Sequence, residues 1–244
     1  MNPTSHEIIK LKYVEQTYVP IGKAVGLILL QTDEVLENEI RSFLPEKMVL
    51  FHSRVPSGDE VTTETLAKME AEIPRATSLF PPAGDLAVVA YCCTSGSTVI
   101  GEDKVAAAIH SVRPNVKVTN PLTAVKANLH HVDAKRIGLL TPYEPHVSEA
   151  MAQHFKISGF EITSFGSFYE KEEAKVTRIS QASILDAIVA IGSGDQCDAV
   201  FASCTNLRTA EILAEASRRI GKPVISSNSA LAWHISGLLS ENSQ

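Results

Sequence analysis

Short apolar runs alternate along this chain with stretches whose apolar positions recur every three or four residues. The first pattern belongs to buried parallel strands and the second to amphipathic helices. Read in order, the sequence predicts a strand over 24–30, a helix over 34–43, a strand over 48–52, a helix over 62–73, a strand over 86–91, a helix over 101–112, a short strand over 116–118 and a helix over 121–131 that carries Pro121 in its first turn. The series then restarts with a strand over 136–140, a helix over 145–155, a strand over 161–168, a helix over 179–191, a strand over 199–202, a helix over 209–220, a strand over 223–226 and a helix over 230–239. Such alternation through short connections predicts an α/β protein whose parallel sheets are covered on both faces. The restart divides it into two lobes, residues 1–120 and 121–226, with the boundary inside 119–135. The closing helix, 227–244, is expected to pack back on the first lobe.

Two strand ends carry the candidate chemistry. Tyr91-Cys92-Cys93-Thr94-Ser95-Gly96-Ser97 and Ser203-Cys204-Thr205-Asn206-Leu207-Arg208 each follow an apolar run and precede a helical pattern. Open α/β sheets bind ligands beyond the carboxyl ends of their strands. A Cys-Thr at the same place in each lobe predicts that Cys93 and Cys204 face one cleft, where one thiolate acts as base or nucleophile and the opposite thiol as acid. A free thiol titrates near about 8.5, and the helix N-termini that follow are expected to lower that value. Negative charge that develops as a proton leaves carbon needs donors aimed at it. The Thr94-Ser95-Gly96-Ser97 turn, placed before the helix from 101, offers one set, and Thr205 with Asn206 before the helix from 209 offers another. Strand alternation turns Cys92 away from the side Cys93 faces, so Cys92 reads as a core residue. Cys197, beside Asp195 and Asp198, reads as incidental. Arg208, Lys175 and Arg178 can each be read as ligands of a second carboxylate or as solvated side chains.

Composition narrows the alternatives. At 244 residues, 44% hydrophobic and 20% charged, the chain is an ordinary globular one. A formal net charge of -6 without a Lys/Arg cluster argues against nucleic acid and acidic lipid as partners. The first 19 residues interrupt their apolar positions with charges, and no later run reaches spanning length, so a cytoplasmic protein off the membrane is expected. The four cysteines then read as thiols. Eight histidines are present, but their spacing suits no metal, and Gly192-Ser193-Gly194 follows a helical pattern where a dinucleotide fingerprint needs a strand. Neither a cofactor nor a metal is therefore expected. Amphipathic helices leave a monomer and a homo-oligomer equally open.

Taken together, Gly26-Leu27-Ile28, Tyr91 to Ser97, Arg136-Ile137-Gly138-Leu139-Leu140-Thr141-Pro142-Tyr143, Ser203-Cys204-Thr205 and Pro223-Val224-Ile225-Ser226-Ser227-Asn228 resemble the Asp/Glu racemase superfamily. The resemblance is to the branch that holds maleate cis-trans isomerases, arylmalonate decarboxylases and ectoine-utilisation racemase-like proteins. It implies two pseudo-symmetric Rossmann-like α/β lobes, an active site between them with one catalytic cysteine from each, and Tyr143 as a holder of substrate carboxylate. Two departures stand out. The asparagine that maleate isomerases carry on the segment matching 172–176 is missing, and their early substrate-contacting asparagine is replaced near Gln31-Thr32, which makes Gln31 a candidate contact. The expectation is a cofactor-independent racemase or isomerase of a small carboxylate or amino acid. Maleate isomerisation, arylmalonate-type decarboxylation and non-catalytic binding of a small acid are the alternatives.

Overall fold

The computed structural model describes residues 8–16, 24–82 and 85–240. The outer ends of the expected first lobe and closing helix, 1–7 and 241–244, lie outside the described residues. Two four-stranded sheets form the frame. In the first, β1 (Ala24–Leu30), β2 (Val49–Val55), β3 (Leu86–Tyr91) and β4 (Lys117–Thr119) lie in the order β2-β1-β3-β4. In the second, β5 (Arg136–Thr141), β6 (Glu161–Ser167), β7 (Ala199–Ala202) and β8 (Val224–Ser226) repeat that order as β6-β5-β7-β8. Every neighbouring pair is parallel. The expected two-lobe α/β architecture is what the chain adopts, and β3 and β7 occupy equivalent positions in it.

Burial explains the apolar runs. All of β1 and all of β7 are buried, as strands covered on both faces must be. Their alternate residues feed two separate cores. Ile28, Tyr91, Cys93, Tyr143 and Cys204 belong to one, and Leu27, Leu29, Cys92, Phe155 and Phe201 to the other. Cys92 and Cys93 thus lie on opposite sides of the sheet, as strand alternation requires.

Most helices sit where the pattern puts them, and the differences have local causes. The 62–73 helix is instead α2 (Thr63–Lys68), a 3-10 turn over Met69–Glu72 and α3 (Ile73–Ser78), because Pro74 cannot continue a helix and opens a new one at its first turn. Thr62 caps α2 through its hydroxyl, with Thr65 answering it in a capping box. The Thr94–Ser97 turn is no turn at all. It is the first part of α4 (Thr94–Ile100), which ends at Gly101, φ 95°, where α5 (Glu102–His110) begins. The second lobe gains a short α8 (Glu173–Val176) that the charge-rich sequence hides. α6 (Pro121–His131), α7 (Pro145–Ile157) and α9 (Gln181–Gly192) match the pattern, and the last of them ends in the Gly-Ser-Gly loop, with Gly194 at φ 80°. α10 (Leu213–Ile220) starts one turn later than expected, and α11 (Ser227–Ser240) starts earlier.

Contacts between the lobes close the cleft. α11 lies against α6 and α1 (Leu36–Phe43). The Glu39 carboxylate on α1 accepts from the amides of Thr209 (2.6 Å) and Ala210 (3.0 Å) and from Asn228 Nδ2 (2.8 Å). The Val61 amide donates to the Lys171 carbonyl (2.9 Å) and the Glu173 amide to the Asp59 carbonyl (3.1 Å). None of the described helices is long and apolar enough to cross a membrane.

Candidate active site

Both thiols lie at the carboxyl ends of equivalent strands and are nearly sealed, Cys93 at 3% exposure and Cys204 at 2%. Their surroundings differ. Cys93 is itself the N-cap of α4, and its Sγ accepts the Gly96 amide at 3.1 Å, with Ser95 Oγ 3.6 Å away. The role of Gly96 is steric: a Cβ there would stand 2.6 Å from the Tyr91 hydroxyl and 3.0 Å from Cys93 Sγ. Cys204 sits in a tight turn with φ 122°, a left-handed conformation that a residue with a side chain adopts only under constraint. The constraint comes from hydrogen bonds. The Cys204 amide donates to Ser227 Oγ (3.0 Å), and its Sγ accepts from the Asn206 amide (3.2 Å) and the Tyr143 hydroxyl (2.9 Å). Ser227 also joins Thr94 Oγ1 at 2.7 Å, so one hydroxyl ties the turn at Cys204 to the start of α4.

The expected contact residues are placed as follows. Tyr143 is buried and reaches Cys204. Thr94, Ser95 and Gly96 form the buried first turn of α4, and Thr205 is buried with its hydroxyl directed at the Cys92 carbonyl, 3.5 Å away. The side chain of Asn206 is committed to the protein: Oδ1 accepts the Glu34 amide (2.9 Å), and Nδ2 donates to the Thr32 carbonyl (3.2 Å) and Glu173 Oε2 (2.8 Å). Gln31 is exposed at the end of β1, and its amide joins the Val55 carbonyl (2.8 Å). The surface cations are engaged elsewhere, Arg178 with Glu34 (2.8 Å), Lys175 with Glu172 (2.5 Å) and Arg208 with the Ile179 carbonyl (3.0 Å).

Two further buried acidic groups were not singled out from the sequence. Asp33, 3% exposed, lies three residues past the end of β1, and its Oδ1 accepts the amides of Val35 (3.0 Å) and Leu36 (2.8 Å) at the start of α1. Glu173, 4% exposed, comes in from α8 to face Tyr143 and Asn206. Position alone could have raised Asp33, since it follows a central strand at its carboxyl end. Glu173 sits in the run Glu170-Lys171-Glu172-Glu173, which reads as solvated surface.

Burial also overturns the expectation of low-pKa thiols. It pushes Cys93 up to about 12, against the Gly96 amide and Ser95 hydroxyl that hold the thiolate down, with the Glu173 and Asp33 charges adding to the rise. Burial and the Glu173 charge raise Cys204 well above the usual thiol range, opposed by Tyr143 and the Asn206 amide. The start of α4 acts in the expected direction, but removal from water is the larger effect. Burial likewise lifts Glu173 to about 7, with Asp33 beside it adding to the shift and Asn206 and Tyr143 opposing it. Among the described residues no group of three or more His, Cys, Asp or Glu is gathered to hold a metal ion.

Two outcomes are expected. At an ordinary position a Gly is less stable than an Ala by roughly 1 kcal/mol. At Cys204 the left-handed backbone reverses the order, so Cys204→Gly should melt at or above Cys204→Ala, by up to about 10 °C if the relieved strain is roughly 1–3 kcal/mol. A thermal melt of both variants checks this. For Glu173 the folded pKa lies above the unfolded one, so its contribution to stability is complete below about pH 4.5 and is lost as pH rises through about 7. Glu173→Gln, which keeps an acceptor for Asn206, should therefore gain stability relative to wild type between pH 4.5 and 8, by up to roughly 3 kcal/mol in denaturant titrations at the two pH values.

Comparison with known proteins places this geometry in a family. Residues 57–244 match the arylmalonate decarboxylase family. The chain is 24% identical over 223 residues to a maleate isomerase of Nocardia farcinica, covering 87% of this chain and 88% of that protein. It is 29% identical over 116 residues to an arylmalonate decarboxylase of Bordetella bronchiseptica, covering 47% and 48% of the two. The fold superposes on a Nocardia farcinica maleate cis-trans isomerase variant, solved with a covalently bound succinylcysteine intermediate, with a TM-score of 0.81 at 22% identity over 89% of this chain and 93% of that one. The chain belongs to the arylmalonate decarboxylase family, in the maleate isomerase and arylmalonate decarboxylase branch of the Asp/Glu racemase superfamily.

Proposed function

We propose that this chain is a cofactor-independent racemase of a small carboxylate or amino acid that passes protons through Cys93 and Cys204. The observation that carries the reading is the pairing itself: two nearly sealed thiols just past equivalent strand ends, β3 and β7, in one buried core and close enough for the charge of one to act on the other. One thiolate takes the hydrogen from the carbon next to the carboxylate, the bonding pair passes into an enediolate, and the opposite thiol returns a proton to the other face. Each sulfur already accepts a backbone amide that would hold it as thiolate, from Gly96 and from Asn206. Tyr143 adds a phenol donor to Cys204. Thr94, Ser95 and Thr205 supply hydroxyls in the same buried space for the carboxylate. The sealed cleft keeps the enediolate from water, and the lobes must part to admit substrate.

Cis-trans isomerisation is the second reading, favoured by the maleate isomerases among the relatives. There a thiolate adds to the double bond, the new single bond rotates and the thiolate leaves. Decarboxylation needs one thiol to protonate the enediolate, and the second buried cysteine then has no task. A binding protein needs neither thiol to react.

Cys93→Ser and Cys204→Ser should each lower turnover by at least about a hundredfold, the scale for losing a positioned acid or base, while Cys92→Ser, in the other core, should cost little. The reaction is read by proton NMR in deuterated buffer with amino acids, hydroxy acids and maleate. Racemisation places deuterium on the stereocentre of the product. Efficient, deuterium-free conversion of maleate to fumarate would replace the racemase reading with the isomerase one, and alkylation-resistant thiols with no turnover of any small acid would leave only binding.

A further inference from the structure

The cleft holds more acid than the two-thiol reaction uses. Besides Cys93 and Cys204, it encloses Asp33 and Glu173, both nearly sealed from solvent. The Asp33 carboxyl is only half satisfied. Oδ1 takes two amides, while Oδ2 is buried and completes no hydrogen bond; the Thr205 hydroxyl lies near enough to favour the ionised carboxyl but is directed at the Cys92 carbonyl, 3.5 Å away. Glu173 has Asn206 on one oxygen and Tyr143 beside it, both uncharged.

Among the described residues no basic side chain hydrogen-bonds to any of these four groups, and only the Arg54 charge offsets part of that on Asp33. The atoms that donate to the two sulfurs and to Glu173 are amides, hydroxyls and a carboxamide. Arg54, the cation nearest Asp33, spends its guanidinium on the carbonyls of Leu30 and Asp33 (2.8 Å each) and on Glu37 (2.5 Å). Lys175, Arg178 and Arg208 are held at the surface, as described above. Ionising a thiol here sets a third negative charge beside two carboxyls in a space of low dielectric, and like charges so close cannot all ionise unaided. A nitrogen-free dicarboxylate would bring two more.

The geometry points to a substrate that brings the missing cation: we propose that the site selects a small α-amino acid by its protonated nitrogen, held between Asp33 and Glu173, over a nitrogen-free acid of the same skeleton. This rests on the reading of the cleft as the substrate site and deepens it. The ammonium supplies Asp33 Oδ2 with a donor and offsets the thiolate. It also sits one bond from the carbon that loses its hydrogen, where positive charge makes that hydrogen more acidic. A zwitterion adds no net charge, whereas a nitrogen-free acid adds at least one negative charge: its carboxylate goes to the hydroxyls and its nitrogen to the carboxyls.

Isothermal titration calorimetry of the full chain tests it with matched probes: L-alanine against L-lactate, L-aspartate against L-malate, and maleate. The expected result is that at least one amino acid binds wild type at least tenfold more tightly than its hydroxy acid and than maleate. Asp33→Asn and Glu173→Gln, which keep their acceptor oxygens, should each weaken that amino acid at least tenfold and leave the hydroxy acid equal or tighter. Two variants are used so that one folded protein suffices. Tighter binding of malate or maleate than of any amino acid, variants that leave the preference unchanged, or no binding of any probe would each overturn the inference. The first two outcomes leave the two-thiol reaction standing. An amino acid that binds with the expected preference but exchanges no Cα hydrogen for deuterium upholds the inference and sinks the racemase.

Discussion

The Asn206 carboxamide is the point at which the cleft is assembled. Its oxygen takes the Glu34 amide and its nitrogen the Thr32 carbonyl, both from the segment leaving β1, while the same nitrogen reaches Glu173 from α8. Its backbone amide meanwhile donates to Cys204 Sγ. One residue therefore sets the distance between the lobes, orients a buried carboxyl and touches a thiol. A carboxamide suits this task because it offers donors and an acceptor without charge, in a cleft that already holds more ionisable acid than it can discharge. An Asp here would add a further negative group facing Glu173, and a Leu would leave the Glu34 amide and the Thr32 carbonyl without partners.

Position and burial act on the thiols in opposite senses. The amides at Gly96 and Asn206 favour the thiolates, and burial disfavours them more strongly. Burial thus favours the protonated form of both sulfurs, and a bound cation would tip one of them toward the thiolate. The left-handed Cys204 belongs to the same design. Glycine would relax the turn but remove the sulfur, so the backbone strain is tolerated for the sake of the side chain and is carried by Ser227 and the neighbouring amides.

What could be read in the sequence follows from what each residue reports locally. The placement of Cys93 and Cys204 at the ends of buried strands was legible because apolar runs mark such strands. The helix expected over 101–112 is α5, but α4 was missed because Thr, Ser and Gly favour caps and turns when judged alone, whereas here the helix is held by Cys93 as its cap and by packing of Gly96 under Tyr91. Asp33 and Glu173 were missed for a different reason. Acidic residues in polar segments are usually solvated, and only the approach of the other lobe buries them. The expected fall in thiol pKa failed on the same ground, since the helix start can be read from sequence and the loss of water cannot.

The two halves repeat one topology, yet the thiol environments are unequal, and the inequality bears on which sulfur does what. Cys93 has an amide, a distant hydroxyl and the nearby Glu173 and Asp33 charges. Cys204 has an amide, the Glu173 charge and the Tyr143 phenol, whose hydrogen bond of 2.9 Å is the shortest to either sulfur. A thiolate gains from a donor at that distance, and the phenol, itself pushed well above its usual range by burial and by the Cys204 charge, keeps its proton and stays a donor. A cation between Asp33 and Glu173 would relieve the charges that bear on Cys93 and, through Glu173, on Cys204. Racemisation requires each thiol to serve as base in one direction and acid in the other. A single removable charge acting on both sulfurs meets that requirement better than a fixed lysine beside one of them, which would bind one thiolate permanently and commit the site to one direction.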